Sequence, residues 1–109
     1  MATVKDSDTI RSVTARYASL VQSSFPGARV FLYGSYAKGS ATGASDIDIA
    51  VVLDIAHGDK IEYATRLFGL ARKVDVSIEP FCVFRDEYDD PPAASILSEI
   101  KRTAIPVAA

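Results

Sequence analysis

The sequence predicts a mixed α+β fold, a small mixed β-sheet with helices packed against it. Two patterns carry this. Three segments have apolar residues at helical intervals, and three others are short runs rich in β-branched and aromatic residues. They alternate in the order α-β-β-α-β-α. The scale fits: 109 residues make one domain, 1–109, and 49% hydrophobic with 24% charged residues is ordinary globular usage.

The first helix is expected over Asp8–Ser24. Ile10, Val13, Tyr17, Leu20 and Val21 form its apolar stripe, Ser7 or Asp8 caps it, and Pro26-Gly27 ends it. Arg29–Tyr33 reads as a buried strand running into Gly34-Ser35. Tyr36–Ser45 is small, polar and glycine-containing, a loop with room for one helical turn. Asp46–Leu53 is the second strand. Its alternation sends Asp46 and Asp48 to one face and Ile47 and Ile49 to the other.

His57-Gly58-Asp59 is a turn whose aspartate can cap the next helix, Lys60–Arg72, with Ile61, Ala64, Leu67, Phe68 and Ala71 at helical spacing. The third strand is expected over Val74–Phe84. Val74, Val76 and Ile78 share one face, and Asp75, Ser77 and Glu79 the other. Asp89-Asp90-Pro91-Pro92 breaks the chain. Ala93–Thr103 is the last helix, with Ile96, Leu97 and Ile100 turned inward.

Several function classes fall away. No apolar run approaches the ~20 residues needed to span a bilayer. The first eight residues lack the basic and apolar regions of a secretory signal. One cysteine, Cys82, excludes an internal disulfide and fits a reducing cytoplasm. A net charge of -2 argues against nucleic acid as the main partner. One Cys and one His leave no zinc site. Gly34 and Gly39 have the glycine spacing of a P-loop, but Ser40 stands where the lysine belongs.

The chemistry concentrates between Gly34 and Asp48. Gly34-Ser35 follows a strand, where missing side chains let backbone N–H groups approach an anion. Lys38 and Gly39 extend that loop with a point charge for phosphate. Asp46 and Asp48 place two hard oxygen donors side by side, a pair suited to one or two Mg²⁺ ions. A third carboxylate on the neighbouring strand would complete a two-metal site for phosphoryl chemistry. Asp75 is ranked first for that place, and Glu79, on the same face but further along, second. Gly-Ser, ten residues, then Asp-x-Asp arises by chance in about one chain in a thousand of this length.

These residues resemble the signature of the DNA polymerase beta-like nucleotidyltransferases. The chain as a whole resembles the minimal nucleotidyltransferase (MNT) domain of prokaryotes. The resemblance takes in the leading helix, Gly34-Ser35 with Asp46-Ile47-Asp48, Val74-Asp75-Val76 as the third-carboxylate strand, and a closing helix Ile96–Ile105. It implies the polymerase beta-like palm fold, with Asp46, Asp48 and Asp75 as catalytic residues holding Mg²⁺, two ions being expected. Gly34, Ser35, Lys38, Gly39 and Ser45 would form the nucleotide-binding set, with ATP as substrate. Lys38 stands where relatives often carry arginine.

The resemblance further implies an adenylyltransferase of the MntA type, the antitoxin of a HEPN/MNT toxin–antitoxin pair. Its partner would be a HEPN-family toxin, presented as a separate chain because 109 residues leave little room for a specificity domain. The alternatives are a non-catalytic antitoxin that masks its partner, and a regulatory module that binds ATP without turnover. Other residues have plainer readings. Cys82 packs in an apolar strand, His57 belongs to a surface turn, and Asp86-Glu87-Asp89-Asp90 is a solvated connection. Tyr36 either stacks on a base or covers the strand edge. Ser45 either orients Asp46 by hydrogen bonding or is a plain turn residue.

Overall fold

A computed structural model describes residues 3–108; Met1, Ala2 and Ala109 of the expected domain lie outside it. Helix α1 (Ser7–Ser24) leads into strand β1 (Arg29–Tyr33), a single helical turn α2 (Ser35–Lys38) and strand β2 (Ile47–Leu53). Helix α3 (Lys60–Arg72), strand β3 (Ile78–Phe84), the short α4 (Arg85–Asp89), helix α5 (Ile96–Thr103) and the two-residue β4 (Ile105–Pro106) follow. The fold is the expected mixed α+β class. Its sheet order is β3-β2-β1-β4, with β2 and β3 parallel and the other pairs antiparallel.

Strand parity separates the two faces of the sheet. On one, Val30, Leu32, Ile47, Ile49, Val51, Leu53, Ile78, Cys82 and Phe84 form the main core with α1 and α3. Tyr17 of α1 is fully buried there, and its hydroxyl donates to the Leu67 carbonyl of α3 at 2.9 Å. That bond ties the two helices together across the core. On the other face Val52, Val83 and Leu97 form a smaller cluster with Phe31, Phe81 and Tyr88. Helix α5 covers only part of this face.

Most elements end where local chemistry says. Asp59 caps α3, accepting from the N–H groups of Ile61 and Glu62. Helix α1 is capped by Asp6, which accepts from Thr9 N–H at 2.8 Å, and not by Ser7 or Asp8. The third strand begins at Ile78 rather than Val74. The N–H groups of Val74 and Asp75 both donate to the Ala71 carbonyl, so these residues close α3 instead of pairing in the sheet. Val76, expected to share a face with Ile78, is 79% exposed while Ile78 is buried.

The last helix starts at Ile96, capped by the Ser95 hydroxyl, rather than at Ala93, and it stops at Thr103. Ile105 is not helical. It lies in β4, paired with Leu32. Pro106 pushes the residue before it towards extended backbone, which ends the helix early. Ile96 is also not turned into the core; it is 59% exposed.

Candidate functional site

The site forms at the open end of the partly covered face. Ile47 and Ile49, both fully buried, anchor β2 from the opposite side and present Asp48 to this face. In the sheet register Tyr33 of β1 lies opposite Asp48, and Asp48 lies opposite Glu79 of β3. Adjacent strands are about 4.8 Å apart, so the three side chains stand in one row across neighbouring strands. Asp46 precedes β2 by one residue and is exposed.

Gly34 closes the row from the loop side. Its φ of 75° lies in the left-handed region, and a Cβ there would meet the Asp48 Oδ2 at 2.2 Å. Only a glycine lets the chain turn this close to the carboxylate. Ser35 then opens α2, whose first-turn N–H groups have no acceptor within the helix. The loop returns through a reciprocal turn: Ser45 N–H donates to the Thr42 carbonyl, and Thr42 N–H donates to the Ser45 hydroxyl at 2.8 Å. This turn delivers Asp46 to the start of β2.

The electrostatics are those of crowded carboxylates. Burial raises the Asp48 pKa above the usual carboxylate value, and the charges of Asp46 and Glu79 raise it further. Burial, with Asp48 and Glu79 nearby, pushes the Tyr33 phenol up to about 12. It therefore stays protonated and is a donor at neutral pH. Among the described residues no Lys, Arg or His forms an ion pair with Asp46, Asp48 or Glu79. A cation is what this row lacks.

A cavity of about 210 Å³ opens beside the row, lined by Tyr33, Gly34, Lys38, Asp48, Ile96, Glu99, Ile100 and Thr103. Lys38 Nζ donates to Glu99 Oε1 of α5 at 3.3 Å, which ties the loop to the helix. A larger cavity, about 680 Å³, lies between α1 and β4, but no carboxylate lines it. Asp48 lines the smaller one.

The expected site residues divide. Gly34, Lys38 and Asp48 meet in the cavity wall. Ser35 and Asp46 flank it in sequence. Gly39 caps α2 in the left-handed conformation and lines the larger cavity instead. Tyr36 also lines the larger cavity, where its hydroxyl accepts from Lys5 N–H at 3.2 Å. The hydroxyl of Ser45 is used in the Thr42 turn rather than on Asp46. Asp75 lies in the turn before β3, and its carboxylate accepts from Ser77 N–H at 2.8 Å. The structure puts Glu79, not Asp75, beside Asp48, because the parallel register of β2 and β3 aligns Asp48 with Glu79 and leaves Asp75 in the turn before the strand.

Tyr33 and Glu99 were not among the expected site residues. Tyr33 follows the strand parity of Asp48, a signal present in the sequence once the pairing is known. Glu99 is brought in from the far end of the chain and has no local signal.

The donor set suits Mg²⁺. Among the described residues no three Asp, Glu, His or Cys side chains form a ready-made metal cluster. Mg²⁺ does not require one, because it is commonly held by one or two carboxylates together with substrate phosphates. Asp48, with Asp46 and Glu79 on either side and no cationic partner, offers such hard oxygen donors.

Residues 15–103 match the sequence profile of the family described as nucleotidyltransferase domain. A comparison with curated proteins finds no match. Among solved structures, the chain is similar to a Sulfolobus solfataricus protein whose name provisionally assigns it as a nucleotidyltransferase. The TM-score is 0.60 at 22% identity, over 78% of this chain and 81% of that one. At that identity the likeness establishes the fold. Among the described residues no helix is long and apolar enough to cross a membrane.

Proposed function

The chain belongs to the nucleotidyltransferase domain family, and from that premise we propose that it transfers a nucleoside monophosphate, AMP from ATP, to a hydroxyl of a partner protein. The observation that carries this reading is the row Tyr33–Asp48–Glu79 backed by Gly34. Asp48 and Glu79 of this row have no ion-pair partner among the described residues, and Asp48 lines a cavity beside Lys38; a triphosphate with its metal would supply the balancing positive charge there.

In this reading Asp46 and Asp48 would hold Mg²⁺, two ions being expected, and Glu79 would take the third place that Asp75 was expected to fill. When bound, the metal neutralises phosphate charge and favours ionisation of the acceptor hydroxyl. Gly34 and Ser35 offer backbone N–H groups to the phosphates, and Lys38 exchanges Glu99 for a phosphate oxygen. The acceptor oxygen forms a bond to the α-phosphorus and the bond to the β-phosphate bridging oxygen breaks. Pyrophosphate leaves, and the hydroxyl proton passes to Glu79 or to water. Tyr33 stays a phenol throughout and donates a hydrogen bond into the site.

The partner is read as a small helical toxin of the HEPN family, the chain acting as its antitoxin. Incubation with Mg²⁺, α-labelled ATP and the product of the adjacent gene tests this. Label on that product supports transfer. No label, with neutralisation undiminished in an Asp46→Asn/Asp48→Asn variant, favours masking without catalysis.

A further inference from the structure

The larger cavity, between α1 and β4, has no part in the transfer site. Buried Ile10 and Leu32 line it, and so do Val4 and Ile105, which are left 46% and 47% exposed. Apolar side chains left open in this way gain free energy when a ligand covers them. The volume of about 680 Å³ falls within the roughly 300–1,000 Å³ usual for whole small-molecule ligands. The charge is one-sided. Lys5 and Arg11 line the cavity, and among the described residues no Asp or Glu does. The Lys5 ammonium donates to the neutral Ser77 hydroxyl at 3.3 Å and has no ion-pair partner among the described residues. Arg11 lies 3.3 Å from Asp8, but both side chains are largely exposed, and a pair of that kind holds its partners weakly. Lys5 precedes α1 and Arg11 is in its second turn, while the wall continues one turn further as Ala15.

We propose that the cavity between α1 and β4 binds a small amphiphilic anion, an apolar chain ending in one carboxylate. Lys5 and Arg11 hold the acid, and the chain lies over Ile10 and Leu32 beneath Val4 and Ile105. A purely polar anion gains nothing from the apolar walls, and an uncharged hydrocarbon makes no use of the two cations. The site is separate from Asp48 and stands whether or not the transfer reading holds.

Calorimetric titration with decanoate, decan-1-ol and decyltrimethylammonium, each below micelle formation, tests this, because the three share a chain and differ in charge. Decanoate is expected to saturate one site on the wild-type chain about tenfold more tightly than decan-1-ol, and the cation binds more weakly still. The Lys5→Gln/Arg11→Gln double variant loses that advantage and binds decan-1-ol as before. Ala15→Phe, which fills the cavity, weakens both. Decanoate that binds no more tightly than decan-1-ol, or that keeps its advantage in the double variant, overturns the proposal, as does the absence of saturable binding. So does a wild-type chain that sediments as a dimer without ligand and as a monomer once Ile105→Ser is introduced, which assigns the face to a second copy. Thermal melts check that the variants fold. Should Ala15→Phe fail to, the double variant decides alone.

Discussion

A carboxylate oxygen of Asp48 occupies the space that a side chain at Gly34 would need. A Cβ built on Gly34 falls 2.2 Å from Asp48 Oδ2 and 3.1 Å from its Cγ, at a backbone φ of 75°. The glycine that turns β1 into the loop and the aspartate that opens the polar face of β2 are therefore one device. The loop approaches the carboxylate because nothing stands between them.

Gly34→Ala tests that device twice over. The methyl group clashes with Asp48, and the left-handed conformation strains it as well. A loss of about 1–3 kcal/mol in urea denaturation is expected, together with weakened Mg²⁺·ATP binding. Gly39→Ala has the same positive φ but open space around its Cβ, so its cost comes from strain alone and is smaller.

Asp48→Asn is expected to abolish transfer while raising stability at neutral pH. The folded Asp48 pKa lies above its ordinary value. The folded chain therefore binds this proton more tightly than the unfolded chain does, and ionising Asp48 costs stability as pH rises through that range. The gain of the variant over wild type in thermal denaturation is present at pH 7. It closes as pH falls through the carboxylate range. Mg²⁺ raises the Tm of the wild type and not of the variant.

Glu79→Gln and Asp75→Ala separate the two candidates for the third carboxylate. Glu79→Gln is expected to lower transfer by about 100-fold or more with stability unchanged. Asp75→Ala leaves transfer within about threefold, since its carboxylate serves the Ser77 N–H. It costs about 1 kcal/mol through that lost bond. Initial rates with labelled ATP and denaturant melts of both variants check this.

Tyr17→Phe probes the core beneath the site. The lost hydrogen bond to the Leu67 carbonyl is expected to cost about 1 kcal/mol. That corresponds to about 5 °C in Tm for a domain of this size. Mg²⁺·ATP affinity is unchanged, because the bond lies on the opposite face of the sheet from Asp48.

Much of the architecture was legible in local pattern. Arg29–Tyr33 and Lys60–Arg72 have the boundaries that periodicity and capping predict. The alternation Asp46-Ile47-Asp48-Ile49 correctly divides the two faces of β2. The errors fall where two structures share one pattern. Val74 and Val76 alternate like strand residues but close a helix, since the alternation says nothing about where hydrogen bonds go. Ile105 continues the helical run, and only Pro106 signals the break that lets β4 join β1.

The sequence by itself determined the mixed α+β class and the Gly34-Ser35 to Asp46-x-Asp48 segment, because strand parity and glycine conformational freedom act over a few residues. Tertiary structure alone decided which distant groups join that segment. Parallel pairing of β2 with β3 sets Glu79 beside Asp48, and the seating of α5 brings Ile96 and Glu99 to the cavity. Register between strands and the seating of a helix follow from how the whole core packs, and no local pattern encodes them.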